Sequence, residues 1–393
     1  MITTATALAI GCAGAATASP VLANTGTAGQ VRSAAATWTL QPIANPPGAS
    51  HSHLEGVSCT ATASCTAVGN AGSQGTDAPL AQHWNGSSWT QQAVPAPVGS
   101  DASVLYGVSC ASAASCVAVG STTPTGIGAT IAPLAETWDG STWTLQSPPA
   151  PSGEQGSELT AVSCASATRC TAVGVSFGSS GTTQPLAESW DGTSWTIQPT
   201  PVPSATENRL LGVSCSAVNR CTAVGYFSRP RGSSAPLAER WNGTKWSQQP
   251  ASPGSVSGML LAVSCASATT CTAVGGATAT GGESTLADHW DGSTWTIQPT
   301  PGTSGSSFNN LWGVSCPTKT NCTAVGYYMN GTGATITKAD HWNGTVWAPQ
   351  LTAAPKGGKV LTGVSCATAG RCTASGYFLN VGGQTPESLA EQR

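Results

Sequence analysis

Fourteen of the chain's 15 cysteines stand in pairs with five residues between them: Cys59/Cys65, Cys110/Cys116, Cys164/Cys170, Cys215/Cys221, Cys265/Cys271, Cys316/Cys322 and Cys366/Cys372. The seven pairs recur every 50 to 54 residues. Such a pair can close a disulfide, stay reduced or hold a metal. Zinc favours shorter Cys spacings and a ligand set completed by further Cys or His, which these repeats do not offer. Between the other two outcomes the redox compartment decides, and an exported chain would carry seven local disulfides. The segments around each pair, 159–164 and 170–174 for example, are short, contain Val and Thr, and read as the two strands of a hairpin whose loop is the five residues between the cysteines. Residues opposed across such a ladder lie at a separation a disulfide accepts. Closing so short a loop stabilises each hairpin by about 2 kcal/mol.

The other chemistry-bearing residues are fewer. Glu136, Glu188, Glu239, Asp288, Asp340 and Glu391 would suit the paired carboxylates of a glycosidase. They occupy one position in six repeats, however, and chemistry is asymmetric, so they read as framework hydrogen-bond acceptors. His51 and His53 form an isolated His-x-His, while His83, His289 and His341 merely precede tryptophans, so no copper site with His and Tyr ligands is expected. Arg209, Arg229 and Arg231 fall in neighbouring variable stretches without a matching set of acids and tyrosine. No phosphate-binding glycine loop or nucleophile elbow is present. The expectation is a protein without catalytic residues, metal or cofactor.

These residues must be positioned by the repeat that carries them, and its period governs the whole reading of the fold. Its first half is LTAVSCASATRCTAVG (159–174); its second is PLAESWDGTSWTIQP (185–199). Asp-Gly or Asn-Gly between two apolar runs is a strong hairpin signal. The tryptophans flanking it, Trp84/Trp89, Trp138/Trp143, Trp190/Trp195, Trp241/Trp246, Trp290/Trp295 and Trp342/Trp347, share one sheet face and serve packing. Two hairpins make a four-stranded unit that must stack on copies of itself. The last copy stops at Leu389–Arg393, after a third strand, while Thr37–Pro42 supplies a lone fourth strand ahead of the first copy. That permutation predicts an all-β, seven-bladed β-propeller with four antiparallel strands per blade, closed by an N-terminal strand that completes the C-terminal blade.

Only 8% of residues are charged and the net charge is −3 with no basic run, which argues against nucleic acid. Nothing in the mature region is long and apolar enough to span a bilayer. Residues 1–23 read as a signal peptide ending at Val21-Leu22-Ala23, with 24–35 a linker and 36–393 a single propeller domain. Removing the leader removes Cys12, whose surroundings make a poor lipobox, and leaves an even number of cysteines.

With its GVSC, CTAVG and WDGxxW-like segments the chain resembles secreted bacterial repeat proteins and, more broadly, propellers of the kelch or galactose-oxidase central-domain type. The turn Asp139–Trp143 resembles the Asp-box turn of sialidase-like propellers, with one residue fewer between Asp and Gly. The resemblance spans residues 36 to 393 and implies fold rather than function. The expected function is a secreted, extracellular or cell-wall-associated monomer that binds a polysaccharide or an extracellular surface protein; the alternative is a carbohydrate-active hydrolase or lyase. Loops of constant length face one end of the ring, and loops of variable length face the other. The variable end is where binding belongs. Tyr and Phe residues map there together with the off-pattern Trp312, so the expected ligand contacts are Tyr106, Tyr226, Trp312 and Tyr327, with Arg229 and Arg231 as polar partners.

Overall fold

The computed structural model describes residues 37–393 except 74, 127, 205, 230–231, 251–256, 280–281, 304, 307, 354–356 and 380–384. The expected signal peptide and linker lie outside the described residues. All regular structure among the described residues is β, in 28 strands.

One repeat shows how the sequence builds its unit. Gly156–Ser166, Arg169–Phe177, Thr183–Trp190 and Trp195–Gln198 pair antiparallel in chain order. The alternating strand pattern puts Leu186 and Trp190 on one face, where they join Leu159, Val162 and Trp195 in a buried cluster. Cys164 stands directly opposite Cys170, and the two are disulfide-bonded, as are the other six pairs. The connection differs from the expected five-residue loop. The ladder runs past the cysteines to pair Ser166 with Arg169, and a register shift after Cys164 absorbs the odd residue. Only a two-residue turn is left.

That extension of the ladder also corrects where the cysteines sit. A five-residue loop would leave both members of a pair at a solvent-facing hairpin end, whereas the second cysteine of each pair is buried in the packing between sheets. Cys116 and Cys221 are 2% exposed, and Cys271 and Cys322 are 1% exposed. These four are core residues, not accessible site residues, and each joins the apolar cluster of its own unit. Cys65, Cys170 and Cys372 are buried in the same way. The sulfur of the second cysteine meets a threonine hydroxyl on the adjoining unit, at 3.9 Å for Cys116 and Thr66, 3.5 Å for Cys221 and Thr171, 3.7 Å for Cys271 and Thr222, and 3.7 Å for Cys322 and Thr272. The bridges therefore staple their hairpins and pack neighbouring units together.

In the second hairpin Trp190 pairs with Trp195, so four residues connect the strands. Asp191 caps this turn: its Oδ1 accepts the backbone N–H groups of Thr193 and Ser194, each at 2.8 Å. These bonds, with that from the Thr193 hydroxyl, hold the Asp191 carboxyl well below the usual carboxylate range. Gly192 takes φ 102°, a left-handed conformation that a side chain would strain. A Cβ there would also press on Thr168 in the cysteine turn. The two constant turns of a repeat therefore sit together at one end of the sheet.

Five sheets have four strands, and a sixth has eight because one parallel pairing, Asp77 with Ala102, joins two units. In the sheet of Lys359–Thr368, Arg371–Leu379 and Pro386–Gln392 the outer place is filled by Thr39–Gln41, registered Thr39 to Gln392 and Gln41 to Ala390. Neighbouring sheets pack face to face through shared clusters: Leu159 and Trp190 pack with Val117 and Val119, and Leu54 and Trp84 with Ala390. A repeated hydrogen bond stitches the inner strands. The N–H of the first cysteine in each unit donates to the Ser before the cysteine of the preceding unit, as in Cys110 to Ser58 at 3.0 Å and Cys215 to Ser163 at 2.9 Å. The series includes Cys59 to Ser365 at 2.9 Å, which joins the first inner strand to the last. Four-stranded blades stacked side by side around their inner strands make a β-propeller.

Candidate ligand-binding site

Each inner strand carries a second irregularity, between Leu54 and Gly56 in the first blade and between Leu105 and Gly107 in the second. The bulge turns one residue out of the ladder. The next residue is Gly or Ala because adjoining inner strands touch there: a Cβ on Gly56 would lie 2.9 Å from the Tyr106 carbonyl oxygen, and one on Gly107 3.1 Å from Ala161 Cα. The bulge position holds Glu55, Tyr106 and Trp312 in three of the blades. The inner edge thus presents off-pattern side chains from tightly packed backbone.

The blade around Trp312 is the most aromatic. Tyr327, on the second strand opposite Asn310, stacks on Phe308 (ring centroids 5.1 Å, planes 20° apart) and on Trp312 (6.2 Å, 16°). All three rings are half-buried. Beside them the Trp312 indole N–H and the Asn310 and Asn309 side-chain carbonyl oxygens are shielded yet have no hydrogen-bond partner. Burial and the Glu283 carboxylate raise the Tyr327 hydroxyl.

A titratable arc continues from this ladder. Tyr377 packs against His53 at 4.5 Å. His51 Nε2 meets Asp77 Oδ1 at 2.8 Å, and the same oxygen accepts the Asn70 amide. Burial, aided by His51, pulls His53 down to about 4, so its ring is neutral. Burial pushes Glu55 up to about 7. Tyr106 donates to or accepts from Ser121 Oγ at 3.1 Å, and burial with the Glu158 carboxylate pushes it up to about 12. Among the described residues no group of three or more His, Cys, Asp or Glu side chains converges as a metal set.

Of the residues expected from the sequence, Trp312 and Tyr327 come together, and Tyr106 lies farther round the bulge positions. Tyr226 differs from the expectation of an open contact: it is 5% exposed, and its hydroxyl donates to Glu207, which also receives Ser228 and faces Arg209. It sits on a second strand opposite Arg209, inside a polar cluster rather than at its rim. Arg229 lies in the turn after that strand, its N–H bonded to the Ser233 carbonyl, and Arg231 lies outside the described residues. Glu55, His53, Tyr377 and Asn310 were not singled out from sequence as a group. For Glu55, His53 and Asn310 the signal was available in the residues flanking the Leu of each inner strand, which vary while Leu does not.

Three of the six third-strand acids also differ from the expectation. All are buried, and Glu391 is the acceptor expected, taking the Ala353 N–H, but Glu136, Glu188 and Glu239 accept no hydrogen bond at either carboxyl oxygen. The reason lies in what faces them. At the constant end two clefts open between blades, one of about 180 Å³ beside Arg169 and Trp241 and one of about 380 Å³ beside Trp84 and Arg371. Both are lined by framework residues.

No protein-family model and no curated protein matches the sequence. Among solved structures the chain is similar to the GH74 xyloglucanase from Xanthomonas campestris, at 12% identity and a TM-score of 0.53, covering 89% of this chain and 55% of that one. It is also similar to YCF48 from Cyanidioschyzon merolae (14% identity, TM-score 0.49, 91% and 98% covered). A third is Chaetomium thermophilum Sqt1, solved bound to the N-terminus of ribosomal protein L10 (10% identity, TM-score 0.47, 87% and 85% covered). At such identities the likeness is one of fold, and the protein is a β-propeller.

Proposed function

We propose that the protein is a seven-bladed propeller closed by the Trp38 strand, exported to an oxidising compartment, that binds a polysaccharide or a surface protein at the end of the ring carrying Trp312. Closure is supported by the pairing of Thr39–Gln41 with Pro386–Gln392 and by the Cys59–Ser365 hydrogen bond. Export is supported by seven disulfides, which a reducing cytosol would not maintain. No helix among the described residues is long and apolar enough to cross a membrane.

The observation that carries the binding reading is the Phe308–Tyr327–Trp312 stack beside the unpartnered Trp312 N–H and Asn310 carbonyl. Stacked rings offer apolar area to the flat face of a sugar or to a peptide side chain, and a shielded donor and acceptor without partners favour a ligand that supplies both. Tyr106 and Arg229 extend the contact, while Tyr226 braces Glu207. Titration calorimetry against a panel of polysaccharides and cell-surface proteins tests this. Trp312→Ala and Tyr327→Ala should weaken the ligand found at least tenfold with little change in melting temperature, since neither ring belongs to a blade core. Undiminished affinity in both variants would sink the reading.

One constellation favours turnover: Ser50 Oγ lies 3.4 Å from His51 Nδ1, whose Nε2 faces Asp77 at 2.8 Å. Such a Ser-His-Asp arrangement suits acyl transfer, so release of acyl groups from O-acylated members of the same panel, lost in His51→Ala, would convert the binder into a carbohydrate-active hydrolase.

A further inference from the structure

Two residues before the tryptophan that ends each third strand, or before Arg393 in the last repeat, stands a buried polar residue: Gln82, Glu136, Glu188, Glu239, Asp288, Asp340 or Glu391, none more than 2% exposed. Three blades show what this position faces. Gln82 Nε2 donates to the Ala44 carbonyl at 3.3 Å. Lys338 Nζ, 3.2 Å from Asp340, donates to the Pro301 carbonyl at 3.1 Å. The Ala353 N–H donates to Glu391 Oε2 at 3.1 Å.

Ala44, Pro301 and Ala353 occupy one place in the segment entering a blade, six residues after the tryptophans Trp38, Trp295 and Trp347. The same count from Trp89, Trp143 and Trp195 reaches Pro95, Pro149 and Pro201. Proline has no N–H. The donor that serves Glu391 is therefore missing in these blades, and what the place can still offer is a carbonyl oxygen. Where a carbonyl is met elsewhere at this position, the chain brings a donor to it: an amide in Gln82, an ammonium in Lys338.

Glu136, Glu188 and Glu239 fill the position in those three proline blades, and neither oxygen of any of them receives a hydrogen bond. Across the ladder Glu136 lies between Ala118 and Leu145, Glu188 between Ala172 and Ile197, and Glu239 between Ala223 and Gln248. No charged side chain acts on them, and burial alone pushes each up to about 8. Glu391 is raised by burial only to about 7, because the Ala353 N–H and Lys359 offset part of it.

We propose that Glu136, Glu188 and Glu239 are neutral carboxylic acids at neutral pH, each donating its proton to the carbonyl of the proline entering its blade, so that three blades are clasped to their linkers by bonds that alkali opens. A buried acid next to an acceptor is satisfied only while it keeps its proton. Because the folded value lies above the ordinary 4.5, the clasp is fully present below about 4.5 and is lost as pH rises through about 8.

Infrared difference spectra of the intact protein against the triple variant E136Q/E188Q/E239Q test the protonation directly. At about pH 6 the wild-type protein should show a protonated-carboxyl stretch absent from the variant, disappearing on titration with a midpoint near 8. The melting temperature of the wild type should fall between about pH 5 and about pH 9, and that of the variant, whose amides donate at any pH as Gln82 does, should fall less. Pro149→Ala restores an N–H and should move the Glu188 midpoint down. If the triple variant does not fold, the wild-type titration and the single variant Glu188→Gln decide. A carboxylate already ionised at pH 6, or parallel pH profiles for wild type and variant, overturns the proposal.

Discussion

Replacing Trp38 by Ala tests ring closure, because the same repeat position can be perturbed elsewhere as a matched control. Trp38 is 3% exposed, packs with Val325, Ala339, Leu361 and Leu389, and donates its indole N–H to Gln350 at 2.9 Å. Trp246 in the middle of the chain is 4% exposed and donates to Gln198 at the same 2.9 Å. Truncating a buried tryptophan costs about 3–5 kcal/mol, and the stranded amide acceptor adds about 1 kcal/mol. On side-chain grounds the two variants lose alike. They differ in what holds the strand. Trp246 is joined to its partner strand through the turn 242–245, whereas Thr39–Gln41 is bound to Pro386–Gln392 by pairing alone. Loss of Trp38 should therefore release the last blade before the rest unfolds, and loss of Trp246 should not. Chemical denaturation reads the total loss, and amide exchange at residues 386–392 and 359–368 reads the local opening. If the Trp38 variant loses under about 1 kcal/mol, or if those amides stay as protected as in the Trp246 variant, closure by this strand is wrong.

Two further outcomes are expected. Gly174→Ala should destabilise strongly, by about 3 kcal/mol or more on thermal denaturation, because its Cβ would overlap the Glu158 carbonyl oxygen; a loss below about 1 kcal/mol would show that the bulge yields. Replacing Cys164 and Cys170 together by Ser should cost about 2 kcal/mol without changing the fold, since that disulfide closes a separation of only six residues; an unfolded product would mean the staples are indispensable.

Regular features were legible in sequence because each rests on a local rule repeated six or seven times. The cysteine pairs, the tryptophan pairs and the Asp-Gly turns follow from spacing, and the structure has them as cross-strand partners. The burial of Cys116, Cys221, Cys271 and Cys322 was not legible, because it comes from the sheet packed against each hairpin and not from the hairpin itself. Nor was the bulge in the inner strand. It leaves Leu159 and Ala161 opposite Gly174 and Val173, so the chain gains a residue that no alternation pattern marks. Its traces are the glycine of CTAVG and the Gly or Ala before Val-Ser-Cys, which look like turn residues but answer to close backbone approach. The lack of partners at Glu136, Glu188 and Glu239 was hidden for a related reason: the prolines at the equivalent linker place stand some forty residues away, and only the repeat count from each fourth-strand tryptophan connects the two. The burial of Tyr226 was not legible either, since it depends on Glu207 and Arg209 from the adjoining segment.

The bulge position also separates framework from function within one repeat place. In two blades it holds threonine, and each hydroxyl ties blades together: Thr160 Oγ1 donates to Leu210 O at 2.9 Å in the next blade and lies 3.1 Å from Val173 O in its own. Thr362 does the same toward Leu54 O at 2.8 Å and Ser375 O at 3.2 Å. That link is the stabilising solution for the position, worth about 1 kcal/mol for a typical bond. Tyr106 and Trp312 give it up, since a phenol that reaches Ser121 and an indole stacked on Tyr327 cannot also cap the next strand's carbonyl. Glu55 gives it up as well and accepts a raised carboxyl in exchange. A repeat that abandons an available inter-blade bond in chosen blades, and puts large or ionisable side chains there instead, is shaped by something other than stability. The surface formed by those substitutions is where a ligand should be sought.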